Sequence, residues 1–191
     1  MAHVLDSPIF TSVEQALHVA FLIEILPASQ KSQMQVILER MMEDAGLTED
    51  REVGTVNFAG LSSMEVRAQC AMIRGAVVHR LPVPEAQAVH ARYANQKAKA
   101  EGVRGVRDYC RPRITTQGDA PTLAIAWNVY ASIKQRDGIS VRKIAAEYGL
   151  APSTVGRDVQ RVRETGQMLL NQATQRLEPQ FSKSGLVWPV G

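Results

Sequence analysis

A chain of 191 residues, 45% apolar and 21% charged with a formal net charge of +3, can bury one medium core or two small ones. That composition excludes a chain disordered throughout, and no apolar run approaches the ~18 residues of a membrane span. The start lacks the basic-then-apolar pattern of a secretory leader, and two cysteines, Cys70 and Cys110, make no disulfide framework, so the expectation is a cytoplasmic protein with free thiols and no membrane contact.

Charge is distributed unevenly. Residues 1–66 carry ten acidic and three basic side chains, net −7, whereas residues 67–191 carry nineteen basic and nine acidic ones, net +10. Within 92–113 seven basic residues face only Glu101 and Asp108. The asymmetry points to a polyanion for the later part of the chain and to a protein partner for the acidic third.

In chain order, helical periodicity dominates and the expected fold class is all-α. "SVEQALHVAFLIEIL" opens with Ser12 three residues before Gln15, a capping-box spacing, and places Val13, Leu17, Ala20 and Phe21 on one face. "SQMQVILERMMEDAG" repeats the pattern with Met34, Ile37, Leu38, Met41 and Met42 inward. Residues 44–60 read as an acidic loop, in which "VGTVNF" (53–58) is the only strand candidate. "SSMEVRAQCAMIRGAVVHRL" predicts a helix with Met64, Ala68, Ala71, Met72 and Val78 inward, broken by Pro82 and Pro84. "PEAQAVHARYANQKAKA" predicts another helix, followed by the basic segment "EGVRGVRDYCRPR". Gly102 to Gly105 in that segment reads as a phosphate-facing loop. "TTQGDAP" (115–121) is the most linker-like stretch and marks the expected boundary between a helical domain, 1–114, and a second domain, 121–178. "PTLAIAWNVYASIKQ" then offers Leu123, Trp127, Val129 and Ile133 for burial.

The most informative spacing lies at 140–163. Ser140 caps a short helix whose Ala145 is small enough for a second helix to cross close by. Gly149 follows four residues later, where the turn calls for positive φ. Leu150 plugs the corner, Pro152 takes the first position of the next helix, 152–165, and Val155, Val159 and Val162 form its inner stripe. This is the spacing of a helix-turn-helix, with Asp158 standing where an aliphatic residue is common. Pro152, Ser153, Thr154, Gly156, Arg157 and Gln160 then fall on the outer face. Ser153 and Thr154 sit at a helix N-terminus suited to phosphates or base edges, Arg157 suits guanine and Gln160 adenine, and Gly156 leaves room for close approach. Arg161, Arg142, Lys143 and Arg163 are expected on phosphates. Lys97, Lys99, Arg104, Arg107, Arg111 and Arg113 are expected to add backbone contacts.

"ISVRKIAAEYGLAPSTVGRDVQRVRE" resembles the helix-turn-helix of the sigma-factor fourth region and of resolvase-type DNA-binding domains. "VVHRLPVPEAQAVHARY" is similar to the helix preceding that unit in sigma-like proteins, although about forty-five residues separate the two pieces here. The layout of acidic front, basic middle and terminal unit also resembles phage late-gene regulators of the Q antiterminator type. That resemblance implies binding to double-stranded DNA near a promoter and engagement of RNA polymerase. A zinc site found in some members of that class has no Cys-x-x-Cys counterpart here.

The expected function is therefore a sequence-specific transcription regulator. Two alternatives are a DNA-recognition accessory of a recombination or packaging complex, and a protein-interaction module using the same face. Cys70, His79, His90 and Cys110 match no zinc-finger spacing, and Cys70 reads as a buried small apolar residue. No nucleotide-binding loop or catalytic constellation is legible, so neither enzymatic activity nor a cofactor is expected. A helix at 166–177 and an apolar tail at 179–191, with Phe181, Leu186, Val187 and Trp188, offer surfaces for folding back or for forming a homodimer.

Overall fold

A computed structural model describes residues 8–26, 56, 58, 60–132, 135 and 137–188. The fold is all-α. Seven α-helices occur among the described residues: α1 (Val13–Ile25), α2 (Ser63–Arg80), α3 (Val83–Tyr93), α4 (Gln96–Cys110), α5 (Asp119–Tyr130), α6 (Val141–Tyr148) and α7 (Pro152–Lys183). Short 3-10 turns at Arg111–Arg113 and Asp137–Ile139 follow α4 and precede α6. No described helix is long and apolar enough to cross a membrane. The helix expected at 32–46 and most of the strand candidate at 53–58 lie outside the described residues, although Val56 and Phe58 are buried.

Contacts divide the chain into two compact units, Met1–Leu81 with Thr174–Gly191, and Pro82–Ala173. The division at 115–121 is thereby displaced to the proline break after α2, and 115–121 belongs within the second unit. The linker-like composition belongs to a bend whose backbone amides at Thr115 and Thr116 are fastened by Asp158, described below.

In the first unit α1 is buried on several faces, with Val19, Leu22 and Ile23 joining the expected Val13, Leu17, Ala20 and Phe21. Arg67 and Arg74 of α2 donate to the carbonyls of Ile23, Leu26 and Ala20, at 3.3, 2.7 and 2.6 Å. They supply cations to the C-terminal end of a helix whose last turn has none of its own. The orientation expected for α2 is reversed. Met64, Met72 and Val78 are 75%, 68% and 58% exposed, and Ala68 and Ala71 are exposed too, while Val66, Cys70, Ile73 and Val77 face inward. The helix has an apolar residue on both sides, and the β-branched side packs while the arginines beside it reach α1.

The tail also differs from expectation. The helices expected at 152–165 and 166–177 are one, and it continues through Pro179 to Lys183. Gly166 reads as a break in the sequence, yet it makes room within the helix: a Cβ there would collide with the Tyr130 hydroxyl. Phe181, Leu186 and Val187 are buried. Leu186 accepts from the Phe10 amide at 2.9 Å, beside an isolated parallel bridge between Phe10 and Val187.

The second unit has one contiguous core. Ala88 and Ala91 of α3, Val103, Val106 and Cys110 of α4, Ile125, Ala126 and Tyr130 of α5, Ile144 and Ala145 of α6, and Val155, Val159, Val162 and Leu169 of α7 meet there. The "GVRG" stretch is helical and not a loop. Gly102 lies against α3 so closely that a Cβ would strike the Ala91 amide nitrogen and approach Gln87 O at 2.7 Å. A Cβ on Gly105 would meet the flexible Gln87 side chain instead, so the two helices run antiparallel. In α5 the expected inward set is shifted: Thr122, Ile125, Ala126 and Tyr130 are buried, and Leu123, Trp127 and Val129 are half-buried. Ile133 lies outside the described residues.

Candidate nucleic-acid interface

The corner between α6 and α7 forms as the spacing requires. Ser140 Oγ accepts from the Lys143 amide at 3.4 Å and starts α6. Gly149 ends it at φ 64° and ψ 33°, a left-handed conformation that glycine adopts without the Cβ penalty. The Gly149 and Leu150 amides both donate to Ala145 O, the second at 2.9 Å, which turns the chain within two residues. Pro152 then begins α7, whose first turn holds no acid to offset its positive end. Val155, Val159 and Val162 are 0%, 4% and 1% exposed and close against Ile144 and Ala145.

With those valines inside, Pro152, Ser153, Arg157, Gln160 and Arg161 are exposed, and Thr154 and Gly156 are half-buried at the edge of the same face. Arg157 makes one long bond, Nε to Ser153 O at 3.4 Å, and so keeps most of its donors for a ligand. Gln160 is engaged along its own helix, donating to Glu164 Oε1 at 2.8 Å and accepting from Arg163 at 3.0 Å. Gly156 has almost open space beside it: a Cβ would come no closer than 4.0 Å to Val141. Arg142 and Lys143 are exposed on α6.

Asp158, which stands where an aliphatic residue is common, organises this site. It is fully buried, and its carboxylate accepts from the Thr115 amide at 3.0 and 3.1 Å and from the Thr116 amide at 2.8 Å. Arg161 reaches both Asp158, at 3.3 Å, and Thr115 Oγ1, at 3.1 Å. Burial pushes the Asp158 carboxyl up, but the two amides and the Arg161 guanidinium outweigh it and hold the group below its ordinary 3.8. One carboxylate thus pins the 115–116 turn to α7 and fixes where Arg161 stands. The available signal was an acid on the valine-bearing side of a helix, because a buried carboxylate needs donors.

The basic segment 92–113 supplies fewer free cations than its count implies. Lys97 and Arg104 are exposed, Lys97 facing Glu101 at 3.9 Å. Arg107 is held by Asp108 at 2.7 Å with only 14% of its side chain exposed. Arg111 is paired with Asp119. Lys99 is half-buried, and burial together with nearby Arg92 pulls its ammonium below the usual value. Arg113 donates to Tyr109 O and lies over the Tyr109 ring at 4.7 Å, yet stays exposed.

Both cysteines are buried and unpaired, Cys70 with its thiol pushed up to about 12 by burial. Among the described residues no group of three or more His, Cys, Asp or Glu side chains is arranged to hold a metal ion. No protein-family model matches the chain, and no curated protein matches it in sequence.

Proposed function

We propose that this chain binds double-stranded DNA sequence-specifically through a helix-turn-helix formed by α6 and α7, and acts in the cytoplasm as a transcription regulator. The observation that carries the reading is the corner at Gly149: it buries three valines of α7 and leaves Ser153 in the first turn, and Arg157 and Arg161 at successive four-residue steps beyond it, exposed on one face. That arrangement suits a helix entering the major groove with Arg157 on a guanine edge and the first-turn residues on phosphates. Lys97, Arg104 and Arg113 add cations on the same unit, and binding is expected to weaken steeply with salt as phosphate counterions are released. RNA polymerase as a second partner rests on the resemblance to Q-type regulators, and the acidic first unit is the part assigned to it. A homodimer is expected if the target is palindromic.

Selection of bound fragments from a random duplex library tests the proposal. The expected outcome is an enriched motif, palindromic if two copies bind. Recovery of unselected sequence at every salt concentration would remove sequence-specific binding.

A further inference from the structure

The second unit carries an apolar cleft that takes no part in the DNA reading. Its volume is about 560 Å³, and among the described residues its walls include Leu123, Ala124 and Trp127 of α5, Ile139 before α6, and Ile144 and Glu147 of α6. The cleft exists because α5 turns Ile125, Ala126 and Tyr130 into the core, leaving Leu123, Ala124 and Trp127 half-buried beside it. An α6 of eight residues is too short to cover them. Asn128 donates to Ile139 O at 2.7 Å and holds the turn that forms one wall.

Three features define what fits. None of the candidate DNA-contact residues lines the cleft, and neither does any residue of α7, so an occupant leaves the reading face free. The charged residue among the described lining residues is Glu147, exposed at the lip, which repels phosphate and attracts a cation. Ile144 forms a buried floor, while Leu123, Ala124, Trp127 and Ile139 stay half-open to solvent. This suits a side chain projecting from a polypeptide better than a small molecule, which sites usually enclose over most of its surface.

We propose that this cleft docks a segment of a partner protein that presents a bulky apolar side chain to Trp127 and Leu123 and a neighbouring lysine or arginine to Glu147. The segment seats against α6, the helix that supports the Gly149 corner, so the partner is held on the DNA-binding unit itself.

Trp127 reports on the cleft directly. The chain has two tryptophans, and the other, Trp188, is exposed, so Trp188→Phe leaves Trp127 as the single tryptophan, which is excited selectively over the tyrosines. The full-length protein is titrated with a short amphipathic helical peptide bearing leucines on one face and lysines on the other. Comparison peptides carry glutamate for lysine, or serine for leucine. The expected result is a saturable shift of Trp127 emission with the leucine–lysine peptide alone. Glu147→Lys weakens that binding at least about tenfold and gains the leucine–glutamate peptide, as a direct charge contact requires. Glu147 is exposed, so the variant keeps its fold, checked by an unchanged melting temperature. Three results overturn the proposal: no saturable shift, equal binding of the leucine–lysine peptide by both proteins, or a shift driven by protein concentration without peptide, which would give the cleft to a second copy. The titration contains no DNA, so a protein that ignored every duplex and still bound the peptide would refute the DNA reading and keep this one.

Discussion

Two helices of the second unit are rich in arginine and lysine and use them in opposite ways. On α4 and the turn after it, Arg107 and Arg111 are taken up by Asp108 and Asp119, and Lys99 is half-buried. On α7, Arg157 spends one weak bond on its own backbone, and the acid of that region, Asp158, is turned inward, where it organises Arg161 and the 115–116 turn. A count of charges therefore overstates α4 and understates α7. What matters for a polyanion is which cations remain exposed and unpaired after the core has formed, and whether something holds them in place.

The largest expected effect comes from removing the organiser. Asp158→Ala leaves the Thr115 and Thr116 amides and one side of Arg161 without an acceptor, and should cost about 2–4 kcal/mol in urea unfolding. Asp108→Ala, which removes a carboxylate that is itself 54% exposed, should cost under about 1 kcal/mol. If the two cost the same, the contrast between the helices fails. The acid limb of the stability curve gives a second reading. A carboxyl depressed by folding contributes stability above its unfolded value and loses it as pH falls through the folded one. The Asp158 contribution should therefore be complete at neutral pH and disappear below 3.8, and Asp158→Ala should flatten that fall.

Gly102→Ala should cost about 1–3 kcal/mol, because its Cβ meets the backbone of α3 and neither helix can yield cheaply. Gly156→Ala is the counterpart on α7. With nothing nearer than 4.0 Å, it should stabilise by about 0.5–1 kcal/mol through helix propensity and yet weaken DNA binding, separating fold from function in one substitution. In DNA affinity, Arg157→Ala should lose about 1–3 kcal/mol on the selected site, whereas Arg107→Ala should change affinity by less than about 0.5 kcal/mol.

The legibility of the sequence follows the same contrast. At 140–162 local rules coincide: a capping serine, a glycine that must be left-handed, a proline at a helix start and β-branched residues at helical spacing all demand one geometry. Corner, inner stripe and outer face were accordingly readable. In α2 two apolar stripes compete, and periodicity alone cannot say which one α1 covers, so the spacing points Met64, Met72 and Val78 inward where the structure buries Val66, Ile73 and Val77. Gly102, Gly105 and Gly166 resemble loop or break signals because a sequence does not reveal that a neighbouring helix or a tyrosine ring occupies the space beside them. Asp158 is the instructive case in the site: its position is visible in the sequence, but the two backbone amides that hold it, Thr115 and Thr116, lie more than forty residues away.

The central claim is that Arg157 reads a base and does not merely add charge. Methylation interference at guanine N7, measured on the selected duplex with the wild-type protein and Arg157→Ala, tests it most directly. The account predicts at least one guanine whose methylation blocks the wild-type protein and makes no difference to the variant. If the same guanines block both proteins equally, Arg157 is not a base reader and the assignment of α7 as the reading helix is contradicted.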